Sequence, residues 1–97
     1  MAVFAVTYVY SPDSERLDEF RPEHRAFLRG LHEAGSLIVS GPLKADDAGS
    51  AGALILLDAP DAAGATALLD DDPFRRENLI AARKVREWEP VIGSLGR

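Results

Sequence analysis

Residues 2–10, AVFAVTYVY, and residues 52–58, GALILLD, decide the fold of this chain. Both stretches are rich in β-branched, aromatic and aliphatic residues, which predicts two strands. In both strands the side chains are apolar on each of the two alternating faces. Because a strand of this kind is covered on both sides, we predict a sheet with helices on one face and a second covering layer on the other.

Two helices and two further strands complete the predicted order β-α-β-β-α-β. Four antiparallel strands with both helices on one face form the ferredoxin-like arrangement of α+β proteins. An uncovered apolar sheet favours aggregation, so we expect the other face to pack on a second copy of the chain as a dimeric α/β barrel. The predicted elements are strands over residues 2–10, 36–43, 52–58 and 82–92, helices over residues 17–34 and 60–69, and a short turn over residues 75–79.

The first predicted helix carries its apolar side chains on one stripe. His24 lies three and four residues before Phe27 and Leu28, so it heads that stripe and faces the sheet. Pro22 suits the first position of a helix, which would put His24 near a helix N-terminus. The helix dipole there favours the neutral imidazole, the form that accepts a proton. The stripe consists of Phe27, Leu28, Leu31 and Ala34.

Composition and charge exclude several classes of protein. The 97 residues predict one domain over residues 1–97, and the absence of cysteine excludes disulfides and thiolate sites. The net charge of −5 disfavours nucleic acid as a partner. No apolar stretch reaches the roughly 18 residues of a membrane-spanning helix, and the N-terminus lacks the basic region of a signal peptide. We therefore expect a cytoplasmic protein with no nucleic-acid or membrane partner.

Three short motifs hold the polar residues that are best placed for chemistry. Arg21-Pro22-Glu23-His24 supplies an imidazole on the sheet-facing side of a helix. Ser40-Gly41-Pro42-Leu43 interrupts a strand, which exposes backbone groups and a hydroxyl. In Asp71-Asp72-Pro73-Phe74, the proline disfavours helical conformation at Asp72, so its carboxylate can turn inward.

In this order and at these spacings, the three motifs resemble the YCII-related (YciI-like) family, and residues 86–93 look like its final strand. The resemblance covers essentially the whole chain. It implies a ferredoxin-like fold that dimerises into an α/β barrel, with a His–Asp acid–base pair in a pocket. By motif match, that pair falls on His24 and Asp72. One family branch contains a dehydrochlorinase that acts on a hydroxylated chloroaromatic. The substrate-binding candidates are Arg21, Ser40, Gly41, Pro42 and Phe74.

Together these residues predict a small enzyme in which His24 is the general base or acid and Asp72 orients it. The reaction would be an elimination, isomerisation or hydrolytic cleavage of a small, ring-containing molecule. The sequence contains no phosphate loop, dinucleotide fingerprint or metal-ligand set, so it implies no cofactor and no metal. The alternative is a non-catalytic dimer that binds a metabolite or a regulatory partner. In that case a backbone carbonyl would satisfy His24, and Asp72 would cap a turn.

Overall fold

The computed structural model of the chain describes residues 2–47 and 49–96. Its strands form one antiparallel sheet in the order β2-β3-β1-β4, with the helices packed on one face. This is the ferredoxin-like arrangement, and it confirms the predicted α+β fold. The elements are β1 Ala2–Tyr10, α1 Ser14–Glu33, β2 Leu37–Leu43, β3 Gly52–Ala59, α2 Ala62–Leu69, α3 Pro73–Arg76 and β4 Ile80–Glu87.

The core lies between the sheet and the helices. Strand β1 runs between β3 and β4, with Val6 opposite Ile55 on one side and Val85 on the other. Alternate residues of a strand point to the same face, so every second residue of β1 from Phe4 to Tyr10 is buried under the helices. The buried cluster consists of Phe4, Val6, Tyr8, Tyr10, Leu17, Leu37, Ala53, Ile55, Leu57, Ala59, Ala65, Leu69, Phe74 and Leu79.

Gly52 begins β3 where the backbone of β1 passes very close. A Cβ atom at this position would overlap the carbonyl oxygen of Tyr8. No side chain larger than hydrogen therefore fits here without moving one of the two central strands. Gly52 thus fixes the distance between β3 and the part of β1 that carries Tyr8 and Tyr10.

The first helix starts earlier than the sequence predicts. Asp13 caps it, because its side chain accepts a hydrogen bond from the backbone N–H of Arg16. Pro22 therefore lies inside α1 and not at its first position. His24 consequently lies in the middle of the helix, and the predicted effect of the helix N-terminus on its imidazole is wrong, because that effect fades within the first turn. Of the predicted stripe, Ala34 is exposed, whereas Leu17 and His24 are the buried residues of α1.

Strand β2 is continuous, although an interruption was predicted at Gly41-Pro42. Pro42 pairs with Ala53, and Leu43 pairs with Gly52. The missing N–H of Pro42 is tolerated because β2 lies at the edge of the sheet. The C-terminal half of β2 therefore stays extended.

The last two elements also differ from the prediction. The short turn expected over residues 75–79 is instead the helix α3, Pro73–Arg76, with the proline in its first turn. Proline is favoured there because its missing N–H has no partner in a helix. Strand β4 ends at Glu87, five residues before the predicted end at residue 92.

The sheet face opposite the helices is apolar across β1, β2 and β3. Val9, Val39, Leu43 and Leu54 are each between 37% and 48% exposed. The predicted dimer would form on this face. In the described part of the chain, no helix combines the length and the apolar character that a membrane crossing requires.

Candidate functional site

His24 of α1 and Asp72 at the start of α3 are in direct contact. The Nδ1 atom of His24 lies 2.8 Å from Oδ1 and 3.0 Å from Oδ2 of Asp72. Both residues are buried, with 5% of His24 and 0% of Asp72 exposed. An ionised carboxylate only accepts hydrogen bonds, so the contact assigns the proton to Nδ1 in the neutral imidazole. The contact between these two residues was predicted, and the structure contains it.

The segment between α2 and β4 brings Asp72 to His24. Helices α1 and α2 lie on the same face of the sheet, but their directions alone do not place His24 near the end of α2. Asp72 acts as the N-cap of α3, where its Oδ1 accepts a hydrogen bond of 3.0 Å from the backbone N–H of Phe74. The short helix α3 packs against α1, which places the carboxylate beneath the imidazole.

Tyr8 of β1 approaches the same carboxylate from the sheet. Its hydroxyl donates a hydrogen bond of 3.0 Å to Oδ2 of Asp72. Burial, followed by the negative charge of Asp72, raises the pKa of Tyr8 well above its usual range, so the phenol keeps its proton. Three donors, from Tyr8, His24 and the backbone of Phe74, thus compensate the burial of the carboxylate.

Two aromatic rings fix the orientation of the imidazole. The ring of Phe74 stacks on His24 with the centroids 4.0 Å apart and the planes 5° apart. Tyr10 meets both rings edge-on, with centroids 5.3 Å from Phe74 and 6.5 Å from His24. Because Phe74 is 0% exposed, it packs behind His24 and has no surface for a ligand. The structure therefore places Phe74 in the core behind the imidazole, and its role in substrate binding stays a prediction.

A cleft of about 550 Å³ opens beside His24, between α1 and the adjoining ends of β2 and β3. Sites for small molecules have volumes of this order. In the described residues, Nε2 of His24 has no hydrogen-bond partner, yet no side-chain nitrogen or oxygen is both buried and unpaired. Nε2 is therefore accessible from the cleft. Five of the predicted site residues line it, namely Arg21, His24, Ser40, Gly41 and Pro42.

Sequence reasoning missed Tyr8, Tyr10, Arg25 and Lys44. The two tyrosines alternate with Phe4 and Val6 on the buried face of β1, and a buried tyrosine usually has a hydrogen-bond partner. Arg25 lies one helical turn after Arg21, which was already a predicted site residue. Helical spacing could therefore have predicted that Arg25 lines the same cleft. Lys44 directly follows β2, whose C-terminal end lines the cleft. The sequence alone does not show this position, because it depends on how β2 pairs with β3.

Comparisons with known proteins agree with this fold. A solved structure of the 5-chloro-2-hydroxyhydroquinone dehydrochlorinase TftG from Burkholderia phenoliruptrix AC1100, in complex with 2,5-dihydroxybenzoquinone, matches with a TM-score of 0.72. The two sequences are 24% identical, and the match covers 90% of this chain and 93% of that one. No curated protein gives a significant match. The profile of the YCII-related domain matches residues 2–89, so the chain belongs to the YCII-related family.

Proposed function

We propose that this protein is an enzyme that transfers a proton on a small, ring-containing molecule held in the cleft. His24 is the proposed general base and acid, and Asp72 is the residue that positions it. The observation that carries the proposal is the contact of 2.8 Å between Nδ1 of His24 and the fully buried carboxylate of Asp72. The other ring nitrogen of the same histidine faces a cleft of suitable size.

The hydrogen bonds of the pair define the chemistry. Asp72 accepts the proton on Nδ1, which leaves the lone pair of Nε2 free to remove a proton from a bound molecule. The imidazolium that forms is stabilised by the adjacent carboxylate and can return the proton to a leaving group or to another atom of the ligand. Proton transfer by a positioned side chain accelerates reactions by about 10²–10⁴-fold.

The proposed substrate class follows from the cleft and from the structural neighbour. The cleft has an apolar part, formed by side chains such as those of Leu17, Leu28 and Pro42, which would pack against the faces of a ring. TftG, which shares the fold, is a dehydrochlorinase whose structure contains a dihydroxybenzoquinone. We take elimination from a hydroxylated chloroaromatic as the first reaction to test. Isomerisation and hydrolytic cleavage would use His24 in the same roles.

The proposed assembly is a homodimer in the cytoplasm, formed through the apolar sheet face. Val9, Val39, Leu43 and Leu54 on that face support it, because covering them in a second copy removes a large apolar area from water. His24 lies on the helix side of the sheet, so the proposed interface on the other face leaves it accessible to a ligand, and Leu43 borders both the cleft and that interface.

Chloride release from 5-chloro-2-hydroxyhydroquinone tests the proposal. We expect release by the wild-type protein and its loss in His24→Asn, which removes Nε2 as a base. His32→Asn is the matched control, because His32 lies on the same helix but contacts the backbone carbonyl of Leu37, outside the cleft. Undiminished release by His24→Asn would contradict the proposal. If the wild-type protein binds hydroxylated chloroaromatics without turning any of them over, the protein is a ligand-binding module instead.

A further inference from the structure

The charged side chains that line the cleft are positive, whereas the net charge of the whole chain is negative. The sequence has 16 acidic residues against 11 lysines and arginines, a net charge of −5. The cleft is nevertheless lined by Arg21, Arg25 and Lys44, and no carboxylate is among the described residues that line it. A cleft lined by charges of one sign and apolar walls concentrates ions of the opposite sign.

These cations are available to a ligand. Within residues 2–47 and 49–96, Arg25 and Lys44 form no ion pair. Arg21 pairs with Asp18, whose side chain is 74% exposed, and an ion pair in that setting is weak. Arg21 and Arg25 stand one turn apart on α1, so they project from the same side of the helix, and both line the cleft that His24 also lines.

The hydroxyl of Tyr10 adds a neutral donor at the same place. In the described residues it has no hydrogen-bond partner, and no buried side-chain oxygen is left unpaired, so it is open to the cleft. Burial and the charge of Asp72 raise the pKa of Tyr10, whereas Arg21 and Arg25 act in the opposite direction. The phenol therefore keeps its proton at neutral pH and can donate it to an oxygen atom of the ligand.

We propose that the cleft binds a small organic anion, with its carboxylate or phenolate oxygen held by Arg21, Arg25 and Lys44 beside His24. The apolar walls hold the ring, and the cations hold the charge, which places a ring atom within reach of Nε2. This inference rests on the proposed function and narrows its substrate class. The same cations would stabilise negative charge that develops on the ring oxygens when a proton is removed.

Binding of benzoate and benzamide tests the proposal, because the two probes share a ring and differ in charge. Titration by NMR reports both affinities and whether the His24 signals shift. We expect benzoate to bind the wild-type protein about fivefold or more tightly than benzamide. Arg25→Gln and Lys44→Gln should each weaken benzoate binding by about threefold to tenfold and leave benzamide binding unchanged.

Arg29→Gln is the matched control. It removes the same charge from the same helix, one turn from Arg25, but Arg29 does not line this cleft. Equal affinity for the two probes, a loss in Arg29→Gln as large as in Arg25→Gln, or no binding of benzoate would each overturn the proposal. None of these measurements involves turnover. A protein that prefers benzoate but releases no chloride would therefore contradict only the proposed proton transfer. A protein that releases chloride but binds the two probes equally would contradict only the anion preference.

Discussion

The hydroxyl of Tyr8 in β1 donates a hydrogen bond of 3.0 Å to Oδ2 of Asp72 at the start of α3. Both side chains are almost completely buried, with 1% of Tyr8 and 0% of Asp72 exposed. The bond connects the centre of the sheet to the short segment that approaches α1. Asp72 is therefore held by a hydrogen bond from the sheet as well as by one within its own helix. Because the same carboxylate contacts Nδ1 of His24, it also restricts the position of the imidazole.

Removal of this hydroxyl should destabilise the protein. A hydrogen bond to a buried charge is worth more than one between neutral groups, so we expect Tyr8→Phe to lower the free energy of unfolding by about 1–3 kcal/mol. Tyr10→Phe is the control, because its hydroxyl has no partner in the described residues, and we expect a change below about 0.5 kcal/mol. Urea denaturation measures both. Equal losses in the two variants would contradict the assigned hydrogen bond.

The raised pKa values of Tyr8 and Tyr10 predict a loss of stability in alkali. The folded protein holds protons that the unfolded chain releases above about pH 10, so this contribution is complete below that pH and declines as the pH rises further. We expect the urea midpoint to fall above about pH 10, and to fall less steeply in Tyr8→Phe than in the wild type. Parallel curves for the two proteins would show that Tyr8 does not cause the decline.

Replacement of Asp72 by asparagine should move the proton on the imidazole. The amide of Asp72→Asn can donate to Nδ1, which favours protonation of Nε2 instead. Nitrogen NMR of the imidazole distinguishes the two forms: we expect Nδ1–H in the wild type and Nε2–H in the variant. Turnover should fall by about 10²–10⁴-fold, because the nitrogen at the cleft is no longer a base. Asp71→Asn, one residue earlier and exposed, should change neither property.

Two glycines in neighbouring strands provide a matched pair. Gly52→Ala brings a methyl group against the carbonyl of Tyr8, and we expect a loss of about 1–3 kcal/mol in stability. Gly41→Ala has open space around its Cβ, so its stability should be unchanged or higher by up to about 1 kcal/mol. Thermal melting measures both variants. A stable Gly52→Ala would mean that β1 and β3 are further apart than the structure shows.

The proposed dimer should depend on the apolar sheet face. Leu54→Glu puts a charge at its centre, and we expect sedimentation to show a dimer for the wild-type protein and a monomer for the variant. Ala26→Glu adds the same charge on the exposed side of α1 and should remain dimeric. Circular dichroism controls for unfolding. A wild-type monomer at micromolar concentration would exclude the dimer.

The sequence predicted the strands, their order and the contact between His24 and Asp72. Residues 2–10 and 52–58 were recognisable as strands because both are almost continuously apolar and rich in β-branched, aromatic and aliphatic side chains, as expected of the two central strands of a sheet. The contact of Asp72 with His24 was predicted from the resemblance to the YCII-related family. The proline after Asp72 and the length of residues 70–79 allow the segment to turn back, but they do not by themselves select His24 as the partner.

The start of α1 and the role of Tyr8 were not predictable in this way. Pro22 resembles a first helical residue, yet Asp13 caps the helix nine residues earlier, and tertiary packing outweighs the local cost of proline. The alternation of side chains along β1 predicts which face of the sheet Tyr8 occupies. The hydrogen-bond partner of its hydroxyl depends on the position of α3. That position follows from packing between residues far apart in the sequence.

Asp72 caps α3 and holds His24 at the same time, and this double role has an evolutionary consequence. A descendant that loses His24 loses the proposed chemistry but retains a capped, folded segment. A descendant that loses Asp72 is penalised in stability whether or not it is still an enzyme. Selection for folding alone would therefore preserve the aspartate after activity has disappeared. A relative that has the Asp-Pro-Phe sequence but lacks the histidine would therefore be expected to have lost the proposed activity. The histidine is the more informative of the two residues for assigning activity.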